Sequence, residues 1–301
     1  NEVVKRLAGD DRYETAIKIS KDNFKSADTV VLASGTNSAD ALAASSLATS
    51  KSAPILLTKR NEIGKNVFDE IKRLNANNVI VVGGKVSISE KVVSDLKDKN
   101  ITVKRLAGDN RYETSYEIAK ELLKSNKAKE AIIVNGFKNV DALSVSSLAT
   151  KENLPILLND GNRLSKDIKN IVEDSNIKKM YIIGGRTSLP RRIEDNIKAL
   201  DIEYERLAGE DRYETSSKIA KYAYENSDKV ILASGENSID ALAAGVLTKM
   251  EKAPMLLVQK RRIPKSISNR IEESKAKKFL LIGGEKTISD RVKDKVEGLL
   301  K

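Results

Sequence analysis

Arg6-Leu-Ala-Gly-Asp-Asp-Arg-Tyr-Glu-Thr15 occurs three times in this chain, returning as Arg105-Leu-Ala-Gly-Asp-Asn-Arg-Tyr-Glu-Thr114 and Arg206-Leu-Ala-Gly-Glu-Asp-Arg-Tyr-Glu-Thr215. The copies start 99 and then 101 positions apart. Only two positions vary: Asp10, Asp109 or Glu210, always acidic, and Asp11, Asn110 or Asp211, always a good helix N-cap. The stretch reads as a strand end, a glycine turn and a helix start, with the capping-box spacing from Asp11 to Glu14, Asn110 to Glu113 and Asp211 to Glu214. Arg12, Arg111 and Arg212 then occupy the first helical position, beside free backbone N–H groups and the positive end of the helix dipole. Two readings stand: an anion site built on an arginine fork, or an internal ion pair of Arg12 with Asp10 or Glu14.

Outward from this stretch, strands and helices alternate. Val3–Leu7 reads as a strand, Arg12 to about Lys25 as a helix, and the apolar run Val30-Val31-Leu32-Ala33 as a strand covered on both faces. A turn at Ser34-Gly35-Thr36-Asn37-Ser38 leads to a second helix, Asp40 to about Ser50. Pro54-Ile55-Leu56-Leu57 makes a third strand, with proline at its permitted first position. A helix from about Ile63 to Leu74, the strand Val79–Val82, Gly83-Gly84 and a helix from about Glu90 to Lys97 close the unit. This alternation predicts α/β units with parallel sheets and right-handed crossovers. The markers Asp40, Asp141 and Asp240, Pro54, Pro155 and Pro254, and Gly83, Gly184 and Gly283 keep one frame, with two extra residues in the second copy between Thr114 and Gly136. The chain thus divides into tandem units at 1–100, 101–201 and 202–301, each expected to own four strands and four helices.

The second helix carries no charge over Ala41–Ser50, Ala142–Thr150 and Ala241–Thr248, and no face of it is meant for water. A single doubly wound unit covers one side of such a helix. Two arrangements bury the rest: three equivalent units packing these helices against one another around a shared axis, as an intramolecular trimer, or a helix sunk within its own unit. The 301 residues carry 54 Lys and Arg against 43 Asp and Glu, a net charge of +11 spread over all three units, a field that favours polyanionic partners. Cysteine and histidine are both absent, which removes disulfides, thiol chemistry, Cys- or His-ligated metals and the usual general base. No apolar run approaches the length of a membrane span, and no membrane partner is expected.

At the carboxyl end of the third strand, where parallel α/β sheets hold ligands, the residues are variable and basic: Lys59 and Arg60, Asn162 and Arg163, and Lys260, Arg261 and Arg262. With Arg12, Arg111 and Arg212 on the same edge they form a basic rim, read either as a site for phosphate oxygens or as an ordinary solvated edge. Asp40, Asp141 and Asp240 read as partners of the helix dipole or of a neighbouring arginine, with general-base or metal-ligand roles as the alternative.

The four motifs together resemble the cell wall binding repeat type 2: Arg-Leu-Ala-Gly-x-x-Arg-Tyr-Glu-Thr, Ser-Gly-x-Asn-Ser-x-Asp-Ala-Leu-Ala, Pro-Ile-Leu-Leu and the Gly-Gly after the fourth strand. That repeat occurs in tandem threes in clostridial surface and S-layer-associated proteins, and the likeness covers residues 1–301. It implies a Rossmann-like or toprim-like unit, three of which form a pseudo-threefold disc. It implies a secreted, non-enzymatic wall anchor, without cofactor, that holds an anionic phosphate-containing wall polysaccharide and sits among other surface-layer proteins. It makes the repeat arginines ligand contacts, and it associates the Pro-Ile-Leu-Leu motif with anchoring. That motif is Pro54–Leu57, Pro155–Leu158 and Pro254-Met255-Leu256-Leu257, and as a buried strand it serves folding rather than contact. The second copy departs from the pattern, with Asn135-Gly136-Phe137-Lys138-Asn139 in place of Ser34-Gly35-Thr36-Asn37-Ser38, so the three sites are unequal if that turn binds ligand.

Two other classes fit less well. A phosphoryl-transfer or nucleotide-binding α/β enzyme needs clustered acidic metal ligands or a phosphate loop. Here Gly83-Gly84 is neither GxGxxG nor part of a GxxxxGK[ST] run. Nucleic-acid binding matches the pI of about 9.4, yet aromatics make up only 4% and Tyr13, Tyr112 and Tyr213 fall in helix starts, so no nucleic-acid partner is expected.

Overall fold

The computed structural model describes residues 3–300. Three four-stranded sheets, parallel throughout, are flanked by helices. In the sheet nearest the start of the chain the spatial order is Ile55–Thr58, Thr29–Ser34, Asn78–Val82, Thr102–Leu106. The interior strands are buried at nearly every position, which is why they read as unbroken apolar runs rather than alternating ones. Pro54–Leu57 and its counterparts lie in this buried layer.

Each repeat contributes four strands, as expected, but they do not all join one sheet. Thr102–Leu106, the first strand of the second repeat, pairs with Asn78–Val82 of the first, and Glu203–Leu207 likewise pairs with Lys179–Ile183. Val4–Leu7 crosses the whole molecule to pair with Lys278–Ile282, which closes the three sheets into a ring. The physical reason lies in the connections. From Asn78–Val82 the chain crosses by the helix Glu90–Lys97 straight into Thr102–Leu106, an ordinary right-handed βαβ return to the same sheet. The sequence repeat and the hydrogen-bonded sheet are therefore out of phase by one strand.

The recurrent stretch is the passage from one sheet to the next: Val4–Leu7 ends in one sheet, while the helix it leads into, Arg12–Asn23, packs on Ile55–Thr58 of another. Each residue of the motif serves this passage. Arg6 Nη1 donates to the carbonyls of Gly283 and Ile288 at 2.7 and 2.9 Å, clamping the returning strand, and Arg105 and Arg206 clamp Gly83 and Gly184 in the same way. Asp11 Oδ1 accepts from Glu14 N–H at 2.8 Å, and Asn110 and Asp211 cap their helices identically. The reverse arm of the capping box reaches one residue further back: Glu113 and Glu214 accept from the N–H of Asp109 and Glu210. Thr15 Oγ1 accepts from Gly9 N–H, and Tyr13 closes over the Gly35 backbone.

The charge-free helices meet at the centre. Ala44 and Ala244 are fully buried, and an added Cβ at Gly245 would lie 3.0 Å from the Ser45 Cβ and 3.2 Å from the Ser146 Cβ. Ser45, Ser146 and Gly245 are the same position in the three repeats, so the pseudo-threefold axis passes between them. Ser46 Oγ donates to Leu154 O, and Met255 N–H donates to Ser147 Oγ, tying repeat to repeat around the ring. The helix is continuous only in the first copy, Ser38–Ser50. The third copy splits at Gly245 into Ser238–Ala243 and Val246–Met250, where the weak helix former allows the close approach at the axis. The second copy, lacking the Asn37 cap, has a 3₁₀ turn at Asn139–Ala142 and a short helix at Ser146–Ala149. Its extra residues lengthen the first helix to Arg111–Ser125. None of the described helices is long and apolar enough to cross a membrane.

Candidate functional site: clefts between repeats

In each sheet the strand order reverses between the second and fourth strands of the repeat, at Thr29–Ser34 and Asn78–Val82 in the first. Their carboxyl ends diverge into the turns at 35–37 and 83–89, the place where doubly wound sheets take ligands. Because the motif passes between sheets, the next repeat's helix start covers this opening. Each cleft thus joins the Asp of one repeat to the Arg of another: Asp40 to Arg111, Asp141 to Arg212, and Asp240 to Arg12.

The arginines pair with neither of the acids expected from sequence. Nη1 of Arg12, Arg111 and Arg212 donates instead to the carbonyls of Gly35, Gly136 and Gly235, at 2.5, 2.8 and 2.5 Å. All three arginines are half-buried, and no second side-chain hydrogen bond to them occurs among the described residues. The facing carboxylates are held up in pKa. Burial pushes Asp40 to about 6 against the opposing pull of Arg111 and a hydrogen bond from Ser87. Burial likewise raises Asp141 against Arg212, with Asp211 adding to the rise, and raises Asp240 against Arg12, with Asp11 adding. Gly83, Gly184 and Gly283 adopt φ of 116°, 101° and 102°, so the chain turns directly over these carboxylates. A Cβ on Gly83 would fall 2.6 Å from Asp40 Oδ2.

The cleft at the ring closure mixes Arg12 and Lys286 with Asp10, Asp11, Asp240 and Glu285, and a basic hollow lies beside it. A cavity of about 500 Å³ is lined by Gly9–Arg12 and Thr15 on one side and by Asn237, Asp240 and Gly284–Thr287 on the other. Through Glu285 and Lys286 it adjoins a second hollow of about 500 Å³ lined by Lys260, Arg261, Ser289 and Arg291. Of the rim residues named from sequence, Lys260 and Arg261 are brought together here, and Arg12 stands in the adjoining cavity. Lys59, Arg60, Arg163 and Arg262 are exposed on the loops after their third strands, with Lys59 paired to Glu62 at 3.7 Å. Lys286 and Arg291 were missed by the sequence reading. Both sit around the fourth helix start, and only the fold brings that segment back onto Lys260. A further hollow of about 540 Å³, between Arg111–Ser125 and Lys166–Glu173, mixes Lys120, Lys124 and Lys127 with Asp167 and Asp174 and lies away from the recurrent motifs. Among the described residues no group of three or more acidic side chains is placed to hold a metal ion.

A ring of three α/β units that carries its clefts at the repeat junctions defines a modular tandem-repeat domain. The chain belongs to the family Cell wall binding domain 2 (CWB2), whose model matches residues 6–93, 105–194 and 206–293. It is similar to the N-acetylmuramoyl-L-alanine amidase LytC of Bacillus subtilis, 29% identical over 98% of this chain and 58% of that protein. It is also similar to the amidase enhancer of the same organism, 31% identical over 97% of this chain and 40% of that protein. The chain spans about half the length of these relatives. Among solved structures, Cwp6 from Clostridium difficile superposes with a TM-score of 0.94 at 33% identity, over 99% of this chain and 48% of that one. Cwp8 from the same organism gives 0.91 at 29%, over 100% and 52%. The chain is a cell wall binding module of the secreted, surface-layer type.

Proposed function

We propose that this module anchors its protein non-covalently, without catalysis, to an anionic phosphate-bearing wall polysaccharide, which it grips through the basic rims of its inter-repeat clefts. The observation that carries this reading is the pooling of Lys260, Arg261, Lys286 and Arg291 around one hollow that opens onto Arg12. A planar guanidinium with donors to spare suits a phosphate diester, and the lysines add point charges that need no fixed geometry. Arg12, Arg111 and Arg212, with Lys59, Arg60, Arg163, Lys260, Arg261 and Arg262, are the contacts this reading names. Three weak sites on one rigid body gain roughly 10²–10⁴ in avidity for a long polymer. The units 1–100, 101–201 and 202–301 then act as three sequence modules of one binding body.

The test is retention on purified wall, with and without its anionic polymer, by the full chain and by a variant with alanine at Arg12, Arg111 and Arg212. Polymer removal abolishes wild-type retention, and the triple variant loses retention at low salt while still folded. A folded triple variant that binds at full strength overturns the arginine assignment. Wild-type retention indifferent to polymer removal and to salt overturns the polyanion itself.

A further inference from the structure

The two most exposed large apolar side chains among the described residues are Val86 and Phe137, at 79% and 77%. They are 51 residues apart, and each lies on a turn that borders the cleft between the first and second repeats: Phe137 follows Gly136, whose carbonyl Arg111 binds, and Val86 follows Gly84, which faces the Gly108 carbonyl. Phe137 lies with its ring 5.8 Å from the guanidinium carbon of Arg111, which faces Asp40. Val86 stands in the loop on the other side, whose Gly83 covers Asp40 and whose Gly84 backs onto the Gly108 carbonyl. Isolated exposed apolar residues on a surface need no explanation. Two that border one cleft, beside a half-buried arginine, do.

The corresponding positions in the other clefts are chemically different. Thr36 and Lys286 replace the pair at the ring closure beside Arg12, and Glu236 and Thr187 replace it beside Arg212. The backbone at Phe137 is held by the Asn135 side chain. Asn135 Oδ1 accepts from the N–H groups of Phe137 and Lys138 at 2.8 and 2.6 Å, and Asn135 Nδ2 donates to Ser188 O at 2.7 Å. Ser34 and Ser234 make the first kind of bond in their turns, and neither has a counterpart of the bond from Asn135 to Ser188 O. The turn that departs from the repeat pattern thus has its own backbone anchor and carries an exposed aromatic ring.

We propose that the cleft between the first and second repeats is a sugar subsite, in which Phe137 is the platform for the apolar face of a pyranose ring and Arg111 donates to its hydroxyls. An aromatic face is electron-rich and meets the electropositive C–H face of a sugar, while its low side-chain entropy makes ordering cheap. The ring-closure cleft, with Lys286 in place of Val86, is left to take the phosphate. The clefts then read different parts of one polymer, an inference that rests on the wall polysaccharide being the ligand.

The chain contains no tryptophan, so Phe137→Trp places a single reporter at the cleft. The probes are wall glycan fragments stripped of phosphate, and inorganic phosphate alone. In the full chain, the indole emission of the Phe137→Trp variant is expected to shift saturably with the stripped glycan and to stay unchanged with phosphate. Phe137→Ala should bind the stripped glycan about 3- to 10-fold more weakly, Phe137→Tyr close to wild type, and all should melt alike because the side chain is exposed. Equal glycan binding by Phe137→Ala and wild type, or emission that answers phosphate but not glycan, overturns the proposal. Failure of the wall-polyanion reading shows separately, as wild-type retention on intact wall that does not respond to salt.

Discussion

Asp40→Asn should stabilise the protein at neutral and alkaline pH. Asp40 is 3% exposed, and its Oδ2 accepts from Asn37 Nδ2 at 3.1 Å. Burial raises its pKa from 3.8 to about 6, despite the neighbouring Arg111 and the Ser87 hydroxyl. The folded-state pKa lies above the unfolded one, so the proton is held more tightly in the folded protein. The stability this contributes is fully present below pH about 4 and is lost as the pH rises through about 6. At about 1.4 kcal/mol per unit, the difference is roughly 3 kcal/mol. An asparagine keeps the size and one carbonyl acceptor but never ionises. Urea unfolding of both proteins from pH about 4 to about 8 checks this. The midpoints should coincide at the acid end and separate in favour of the variant above pH about 6. A variant that is less stable at pH about 8, or a gap that does not change with pH, refutes the claim that burial outweighs the pull of Arg111. Asp141 and Asp240 are shifted in the same direction, so their asparagine variants should follow the same sign.

Three further outcomes follow from other parts of the ring. Ala44→Glu or Ala244→Glu places a charge at a fully buried position near the axis, and should cost roughly 3 kcal/mol or more, read as a fall in thermal midpoint. Arg6→Ala removes the clamp on the Gly283 and Ile288 carbonyls and should cost about 1–3 kcal/mol, with proteolysis of the Val4–Leu7 strand accelerating as the ring opens. Alanine at Lys260, Arg261 and Lys286 together should leave melting within about 0.5 kcal/mol while flattening the salt dependence of wall retention, because exposed charges act mainly through a screened field.

The amino-acid sequence by itself determined a great deal, because the deciding signals are local and occur in triplicate. The unbroken apolar runs at Val30–Ala33 and Val79–Val82 declared buried parallel strands, and the Asp11-to-Glu14 spacing placed the helix start at Arg12, where the structure has it. Charge-free Ala41–Ser50 required burial on every side, and of the two arrangements that provide it the structure has the common centre, where Ser45, Ser146 and Gly245 meet. The motifs also marked the family. Tertiary structure alone decided which sheet each repeat's first strand joins, since a tandem repeat has no intrinsic starting phase and hydrogen bonding chose a boundary one strand away from the sequence frame. From that single shift follow the pairings no spacing could announce. Arg12 faces Asp240 rather than Asp10 or Glu14, and the turns of Phe137 and Val86 border one cleft. Lys260 and Arg261 meet Lys286 and Arg291 because the turns after two strands diverge at one sheet edge. Local patterns name the elements; only the closed ring, where residues up to 284 positions apart bond to each other, settles which of them share a site.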